Sequence, residues 1–268
     1  MFNVDFFENN INNKWLIRQF ELFRLNESFI AEKFVPRPDI SIIFHFRDTP
    51  FILEDNEIQL EPFFATPILS KSISLNLYGE MDTFIAVCKP TVFSRIFDVN
   101  LSPVPKHGIA LSENIFYPLW VALSKMNDIK ERINYFTNFI NSIQKTEYIP
   151  DAIDKLYDKI INNSTKNLLK DIIIDCPICQ RTLERNFIKR TGVTPKMLMR
   201  IVRVDYLWTK INLEKAVDYQ DLIFDGHYFD QAHLIKDFQS IIGETPGYFF
   251  NRNLNIIKMF SGRIEGRL

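Results

Sequence analysis

Apolar residues return at helical spacing near the end of the chain. Leu234, Ile235, Phe238, Ile241 and Ile242 share one face of a segment that opens at Asp230, whose short carboxylate suits the first-turn amides. The other face carries Gln231, Ala232, His233, Lys236 and Gln239. Before it, Asp221 to Phe224 reads as a short apolar helix, followed by a turn with Gly226 and His227. Helix, tight turn, and a second helix with an uncharged-polar and basic outer face are the parts of a helix-turn-helix DNA reader. An ordinary helical hairpin has the same parts, so this segment alone does not decide between them.

A second copy lies about 51 residues upstream. Leu168 to Ile174 is an apolar-rich helix, Cys176-Pro177-Ile178 a turn, and Cys179 opens a new helix. That helix turns Leu183 and Phe187 inward. Arg181, Glu184, Arg185 and Lys189 fall outward at i, i+3, i+4 and i+8. The copies end alike, on Gly192-Val193-Thr194-Pro195 and Gly243-Glu244-Thr245-Pro246. In each, glycine can take the left-handed conformation that stops the helix, and Thr-Pro supplies the N-cap and first position of the next. Pro195 to about Leu213 reads as one long helix between the copies. Two readers on a rigid spacer predict adjacent major-groove contacts, about 34 Å apart on one duplex face.

The first half alternates with period two. Ile40, Ile42, Phe44 and Phe46 fall on one side of a strand, and Ser41, His45 and Arg47 on the other. Further strands are predicted at about 51–54, 57–64, 68–78 and 82–89, with an antiparallel pattern set by intervening turns. His45 and Arg47 share a face able to hold an anion, against the plainer reading of a half-exposed polar face. After Pro90 the period becomes helical, at Thr91–Val99, Asn114–Lys125 and Asp128–Gln144. Ile133, Phe136, Ile140 and Ile143 stripe the last of these, and Asp128 with Glu131 forms a capping box. The expected fold is an α+β N-terminal domain, an antiparallel and partly closed sheet with flanking helices, followed by an all-α domain.

Charge sharpens the picture. The whole chain carries −1. Residues 151–268 hold 18 Lys/Arg and 15 Asp/Glu, a net of +3, which leaves −4 for residues 1–150. Between Arg181 and Arg203 stand seven basic residues and one acidic. That local field suits phosphate binding with few contacts and a marked salt dependence. No apolar run is long enough to span a membrane, and MFNVDFFENN lacks a secretory pattern, so a cytoplasmic location is expected. Cys176 and Cys179 have CxxC spacing, but no further CxxC or HxxxH supplies a four-ligand zinc site. Packing and capping is the main reading for them, and redox sensing the lesser. No GxSxG, HExxH or glycine-rich phosphate loop appears, so no enzyme, metal or cofactor is expected.

The ordered motifs resemble the AraC/XylS transcriptional regulators. The resemblance rests on Arg181-Thr182-Leu183-Glu184-Arg185-Asn186-Phe187, Gly192 with Thr194-Pro195, Arg200-Ile201-Val202-Arg203, Asp230-Gln231-Ala232-His233 with Phe238, and Gly243 with Thr245-Pro246. It covers roughly residues 150 to 252 and implies a seven-helix domain with two helix-turn-helix units in bacterial transcription control. Carried over position by position, Arg181, Glu184, Arg185, Gln231, His233 and Lys236 face bases. Lys189, Arg190, Lys196, Thr194 and Thr245 are expected at phosphates, with the amides that open the helices at Pro195 and Pro246. Two positions depart from the family. Pro177 replaces a first-turn glycine. In the second turn the glycine position falls on His227, with Gly226 one residue earlier, which predicts a left-handed residue displaced by one.

The N-terminal half looks like the sensor domains that precede some of these readers, through Arg37-Pro38-Asp39 and Thr83-Phe84-Ile85-Ala86-Val87 before Pro90. The expected division is 1–147 for a sensor domain serving effector binding or dimerisation, 148–254 for the reader, and 255–268 for a tail. Within that tail, Ile264-Glu265-Gly266-Arg267 also reads as a protease-processing sequence. The partners implied are double-stranded DNA, a small-molecule effector, a second copy through the N-terminal domain, and RNA polymerase for an activator. A partner-binding module with a degenerate reader is the alternative.

Overall fold

Alternation in the first half becomes two sheets in the computed structural model. The structure describes residues 2–9, 13–26, 29–105, 108–144, 147–163, 169–173, 179–213, 219–226, 228–251, 254, 255 and 257. Among the described residues nine strands form: β1 (Phe2–Glu8), β2 (Ile17–Leu25), β3 (Ile30–Phe34), β4 (Ile40–His45), β5 (Phe51–Leu53), β6 (Glu57–Gln59), β7 (Phe63–Thr66), β8 (Ile73–Leu77) and β9 (Met81–Cys88). One sheet runs β1-β2-β9-β4-β7 and the other β3-β8-β5-β6. The strand expected at 57–64 is divided into β6 and β7, and the one expected from 68 begins only at Ile73.

β4 is buried along its whole length. It lies between β9 and β7, antiparallel to both, which supplies every backbone partner a central strand needs. Phe44 faces an aromatic cluster: Phe44, Phe84 and Phe20 lie in near-parallel planes, and Phe136 meets all three edge-on. Phe136 belongs to α3 (Ile129–Ile143), which follows α1 (Pro90–Ile96) and α2 (Glu113–Ser124). Asp128 caps α3 by accepting from the Lys130 amide at 3.1 Å. Arg132 then fixes the helix to the sheet. Its guanidinium makes a bidentate pair with Asp82 at 3.0 and 2.6 Å and lies 4.2 Å over the Phe46 ring. A side chain so buried is stable there because its donors are matched and its charge is neutralised.

The remaining helices are α4 (Ala152–Asn163), α5 (Leu169–Ile173), α6 (Gln180–Thr191), α7 (Pro195–Leu213), α8 (Tyr219–Asp225), α9 (Gln231–Ile242) and α10 (Pro246–Phe250). The chain thus forms an α+β unit and then an all-helical one. The second unit comprises 150–268 together with 33–38 and 68–73, and the first the rest. Among the described residues no helix is long and apolar enough to cross a membrane.

The expectation at His45 needs correction. A half-exposed polar face was predicted, but the imidazole is sealed, with Nδ1 2.7 Å from the Thr83 hydroxyl and Nε2 without a partner among the described residues. Arg47 lies beyond the strand end, exposed, and pairs with Glu80 at 2.5 Å. The two therefore do not build a common anion site. Alternation marked the two faces correctly, but both faces of this strand are covered.

Candidate nucleic-acid interface

The two expected readers form as helices of equal length, α6 and α9, each of 12 residues. Along α6, Leu183 and Phe187 are buried, while Arg181, Arg185 and Lys189 are exposed on one face and Glu184 is half-exposed beside them. Along α9, Leu234, Phe238, Ile241 and Ile242 are buried, and Gln231, His233, Lys236 and Gln239 are exposed. The 3.6-residue period alone accounts for this division.

Both helices stop in the same way. Gly192 and Gly243 are left-handed, with φ of 81° and 84°, and their amides donate back to the Ile188 and Gln239 carbonyls. An L side chain would strain either position. Each stop is followed by a threonine that opens the next helix. The Thr194 hydroxyl accepts from the Met197 amide at 3.0 Å, and that of Thr245 from the Tyr248 amide at 3.4 Å. Asp230 caps α9 through the His233 amide at 2.7 Å. Cys179 stands at the N-cap of α6, and its thiol lies 3.2 Å from the Thr182 hydroxyl. Hydrogen bonding to Thr182, and then the charge of Arg185, holds the Cys179 thiol below the ordinary thiol range. Cys176 and the first turn lie outside the described residues, as do His227, His107 and the tail from 258.

The second turn differs from expectation. Gly226 has no positive φ, so no left-handed residue occupies that position. A Cβ there would lie 2.8 Å from the Leu222 carbonyl oxygen and 2.8 Å from the Tyr228 ring. Gly226 is needed for close approach rather than for backbone handedness. That approach lets Tyr228 join Leu207, Leu222 and Leu234 in a core that binds α8 and α9 to α7. Trp208 continues the contact, 4.9 Å from the Phe249 ring, and Phe249 meets Phe238 at 5.5 Å.

Of the phosphate contacts expected, Lys189, Thr194, Lys196 and Thr245 are exposed. Arg190 has a different setting. One guanidinium nitrogen meets Asp151 and another Asp154, each at 2.5 Å. The two carboxylates are themselves a capping box for α4: Asp151 accepts from the amides of Ile153 and Asp154, and Asp154 accepts from the amide of Asp151. Burial works to raise the Asp151 carboxyl, but the Asp154 amide and the Arg190 charge outweigh it and hold the group below the usual carboxylate range. Arg190 therefore fixes the end of α6 to the start of α4, and its donors point at carboxylates rather than outward.

Sequence reasoning did not single out a cleft between α7 and α9. About 530 Å³ in volume, it is lined by Leu169, Lys196, Met199, Arg200, Arg203, His233, Lys236, Asp237 and Ser240. Arg200 braces it, with Nε 2.9 Å from Asp237 and Nη2 2.5 Å from the Ser240 hydroxyl. The signal was present as basic residues at 196, 200 and 203 of one helix and 236 of another. Their convergence depends on how the two helices cross, which spacing does not reveal. At the far end of α9, the Ile241 carbonyl accepts from the Ser72 amide at 2.8 Å and the Ile242 carbonyl from Lys33 at 3.2 Å, with Lys33 also paired to Glu244. These donors satisfy carbonyls that a helix C-terminus otherwise leaves open. No group of His, Cys, Asp and Glu able to hold a metal occurs among the described residues.

No protein-family model matches the chain, and no curated protein does. Among solved structures it is similar to ToxT from Vibrio cholerae. One such structure is 13% identical with a TM-score of 0.46, covering 87% of this chain and 97% of that one. Another, of ToxT bound to (E)-4-(8-methylnaphthalen-1-yl)but-3-enoic acid, is 13% identical with a TM-score of 0.46 and covers 97% and 99%. A third, of unsaturated fatty acid bound wild-type ToxT, is 13% identical with a TM-score of 0.44. At these values the likeness assigns neither family nor activity.

Proposed function

We propose that this chain is a sequence-specific regulator of transcription that reads double-stranded DNA through α6 and α9. One observation carries the reading. Two helices of equal length end on left-handed glycines, lead into threonine-capped helices, and expose polar and basic faces over apolar ones. A chain has no structural need to repeat both the stop and the outer face. Two readers of a duplex, meeting the same surface in successive grooves, do have such a need.

In this reading Arg181 and Arg185 enter one major groove, where a guanidinium pairs in bidentate fashion with guanine O6 and N7. Glu184 stands between them and accepts from cytosine N4 or orients an arginine. Gln231 and His233 act in the next groove, with Lys236 at a base or a phosphate. Lys189, Lys196, Thr194 and Thr245 hold the backbone, together with the amides that open α7 and α10. The 19 residues of α7 span about 28 Å at the helical rise, on the scale of one duplex turn. Arg190 takes the role of a positioning residue, holding α6 on α4.

The first unit receives a signal, as a bound effector or as a second copy of the chain, and RNA polymerase is the further partner where the outcome is activation. Selection of bound duplexes from a random pool tests the reading. Enrichment of a two-part site with half-sites one helical turn apart is expected. Failure to enrich any sequence at low salt overturns it.

A further inference from the structure

Phe229 immediately precedes Asp230, the N-cap of α9, and it is 91% exposed. An apolar residue at that position ordinarily packs down on the fourth residue of the helix, here Leu234. In this chain Tyr228 takes that place instead, joining Leu207 and Leu222 around Leu234. The neighbouring Phe229 ring is left in solvent. A single exposed apolar ring is ordinary on a protein surface. What sets this one apart is its tie to His233.

The Phe229 amide donates to His233 Nδ1 at 3.4 Å, and the Tyr228 ring meets the imidazole edge-on at 5.3 Å. A ring nitrogen that accepts carries no hydrogen, so the hydrogen of the neutral imidazole lies on Nε2. Asp230, between the two in sequence, is turned back onto the His233 amide at 2.7 Å and is occupied as the cap. The first turn of α9 therefore presents an exposed apolar ring beside an exposed imidazole with a fixed N–H donor. The N-terminal residues of a recognition helix are the ones that reach base edges. In the major groove a thymine offers a 5-methyl group, and a purine offers the N7 acceptor. Ring and donor together match that pair of groups, whereas a phosphate matches the donor alone.

We propose that Phe229 is a specificity-determining residue, packing on the 5-methyl group of a thymine while His233 donates from Nε2 to the N7 of a purine beside it. The assignment rests on the duplex reading proposed above and deepens it, since it fixes one thymine and one purine in the α9 half-site.

Atomic replacement within the selected duplex tests this, with binding of the full-length chain followed by fluorescence anisotropy. Each thymine is replaced in turn by uracil, which removes only the methyl group, and each purine by its 7-deaza analogue, which puts C–H in place of N7. One uracil in the α9 half-site should weaken binding about fourfold, and one 7-deazapurine about fivefold. Phe229→Ala should bind the thymine and uracil duplexes alike at that position and keep the 7-deaza effect, because its amide remains. His233→Ala should lose the 7-deaza effect and keep the uracil effect. Phe224→Ala, which removes another exposed ring from α8, should keep both. The urea midpoint of Phe229→Ala should match that of wild type, since the ring is exposed. A uracil effect that persists in Phe229→Ala overturns the assignment. So does equal weakening of that variant on every duplex, which marks a backbone contact, or unchanged DNA binding, which marks a protein-contact surface. A selected site with no uracil-sensitive position defeats this inference alone, whereas failure to select any duplex defeats the regulator reading and the assignment together.

Discussion

Lowering the pH below 6.5 should destabilise the first unit through one residue, His45. The residue is 4% exposed, Nδ1 is committed to Thr83, and Nε2 has no hydrogen-bond partner among the described residues. Burial lowers the His45 pKa from 6.5 to about 3. Because the folded value is the lower one, the unfolded chain binds the extra proton between pH 6.5 and 3. Stability is therefore full above 6.5 and falls as pH drops through that window. One proton gives a slope approaching about 1.4 kcal/mol per pH unit, and the whole window about 5 kcal/mol as an upper bound. That is comparable to the net stability of an ordinary domain, so a single sealed imidazole matters here.

Urea unfolding followed by tryptophan fluorescence measures this. Trp120 reports locally, because its indole N–H donates to the His45 carbonyl at 2.7 Å. His45→Gln keeps a polar side chain opposite Thr83 but does not titrate. The carboxylates titrate alike in both proteins, so the difference between their pH profiles isolates the imidazole. Wild type should lose about 1.4 kcal/mol more per pH unit than the variant below about pH 5.5. Parallel profiles between pH 7.5 and 4.5 would refute the reasoning, as would an imidazole resonance absent from the variant that titrates near 6.5 in the folded protein.

Further outcomes follow from the second unit. Arg185→Ala should cost about 1–3 kcal/mol on the selected site and relax base preference at one position, measured by competition among single-base variants of the duplex. Lys189→Ala should weaken all sequences alike and reduce the salt slope by about one. Arg190→Gln should leave that slope unchanged but lower the unfolding midpoint, because it strands the buried Asp154 carboxylate beside a half-exposed Asp151; the low end of about 3–5 kcal/mol is expected. Gly226→Ala should cost about 1–3 kcal/mol by urea titration, since the added methyl meets both the Leu222 carbonyl and the Tyr228 ring.

Helices α6 and α9 were legible in the sequence because their signals are local. A 3.6-residue period, a glycine stop and a Thr-Pro start lie within one helix and its flanks, and each appears at its expected residue. The N-terminal strands β1, β2 and β3 were not legible. Phe2–Glu8 and Ile17–Leu25 carry runs such as Phe6-Phe7 and Phe20-Glu21-Leu22-Phe23 that break simple alternation, since β2 is covered along most of its length by partners distant in sequence. α4 also went unmarked, although Asp151 and Asp154 cap it in a recognisable pattern. Gly226 was noticed for the wrong reason. Sequence marks a glycine but not whether handedness or space requires it, and only the Tyr228 ring decides the matter.

Charge read along the chain overstates what faces outward. Seven basic residues lie between Arg181 and Arg203, and treating them as one field would predict a broad phosphate surface. Folding divides them. Arg190 is committed to two carboxylates, Arg200 to Asp237 and Ser240, and Arg203 is buried. Arg181, Arg185 and Lys189 remain exposed along one face of α6, with Lys196 exposed at the start of α7. The paired arginines fix the helices, and the exposed residues are the ones that the proposed reading assigns to recognition. That division reconciles a nearly neutral chain with the proposed duplex-binding role: the surface needs few cations if each is held at the spacing of a groove.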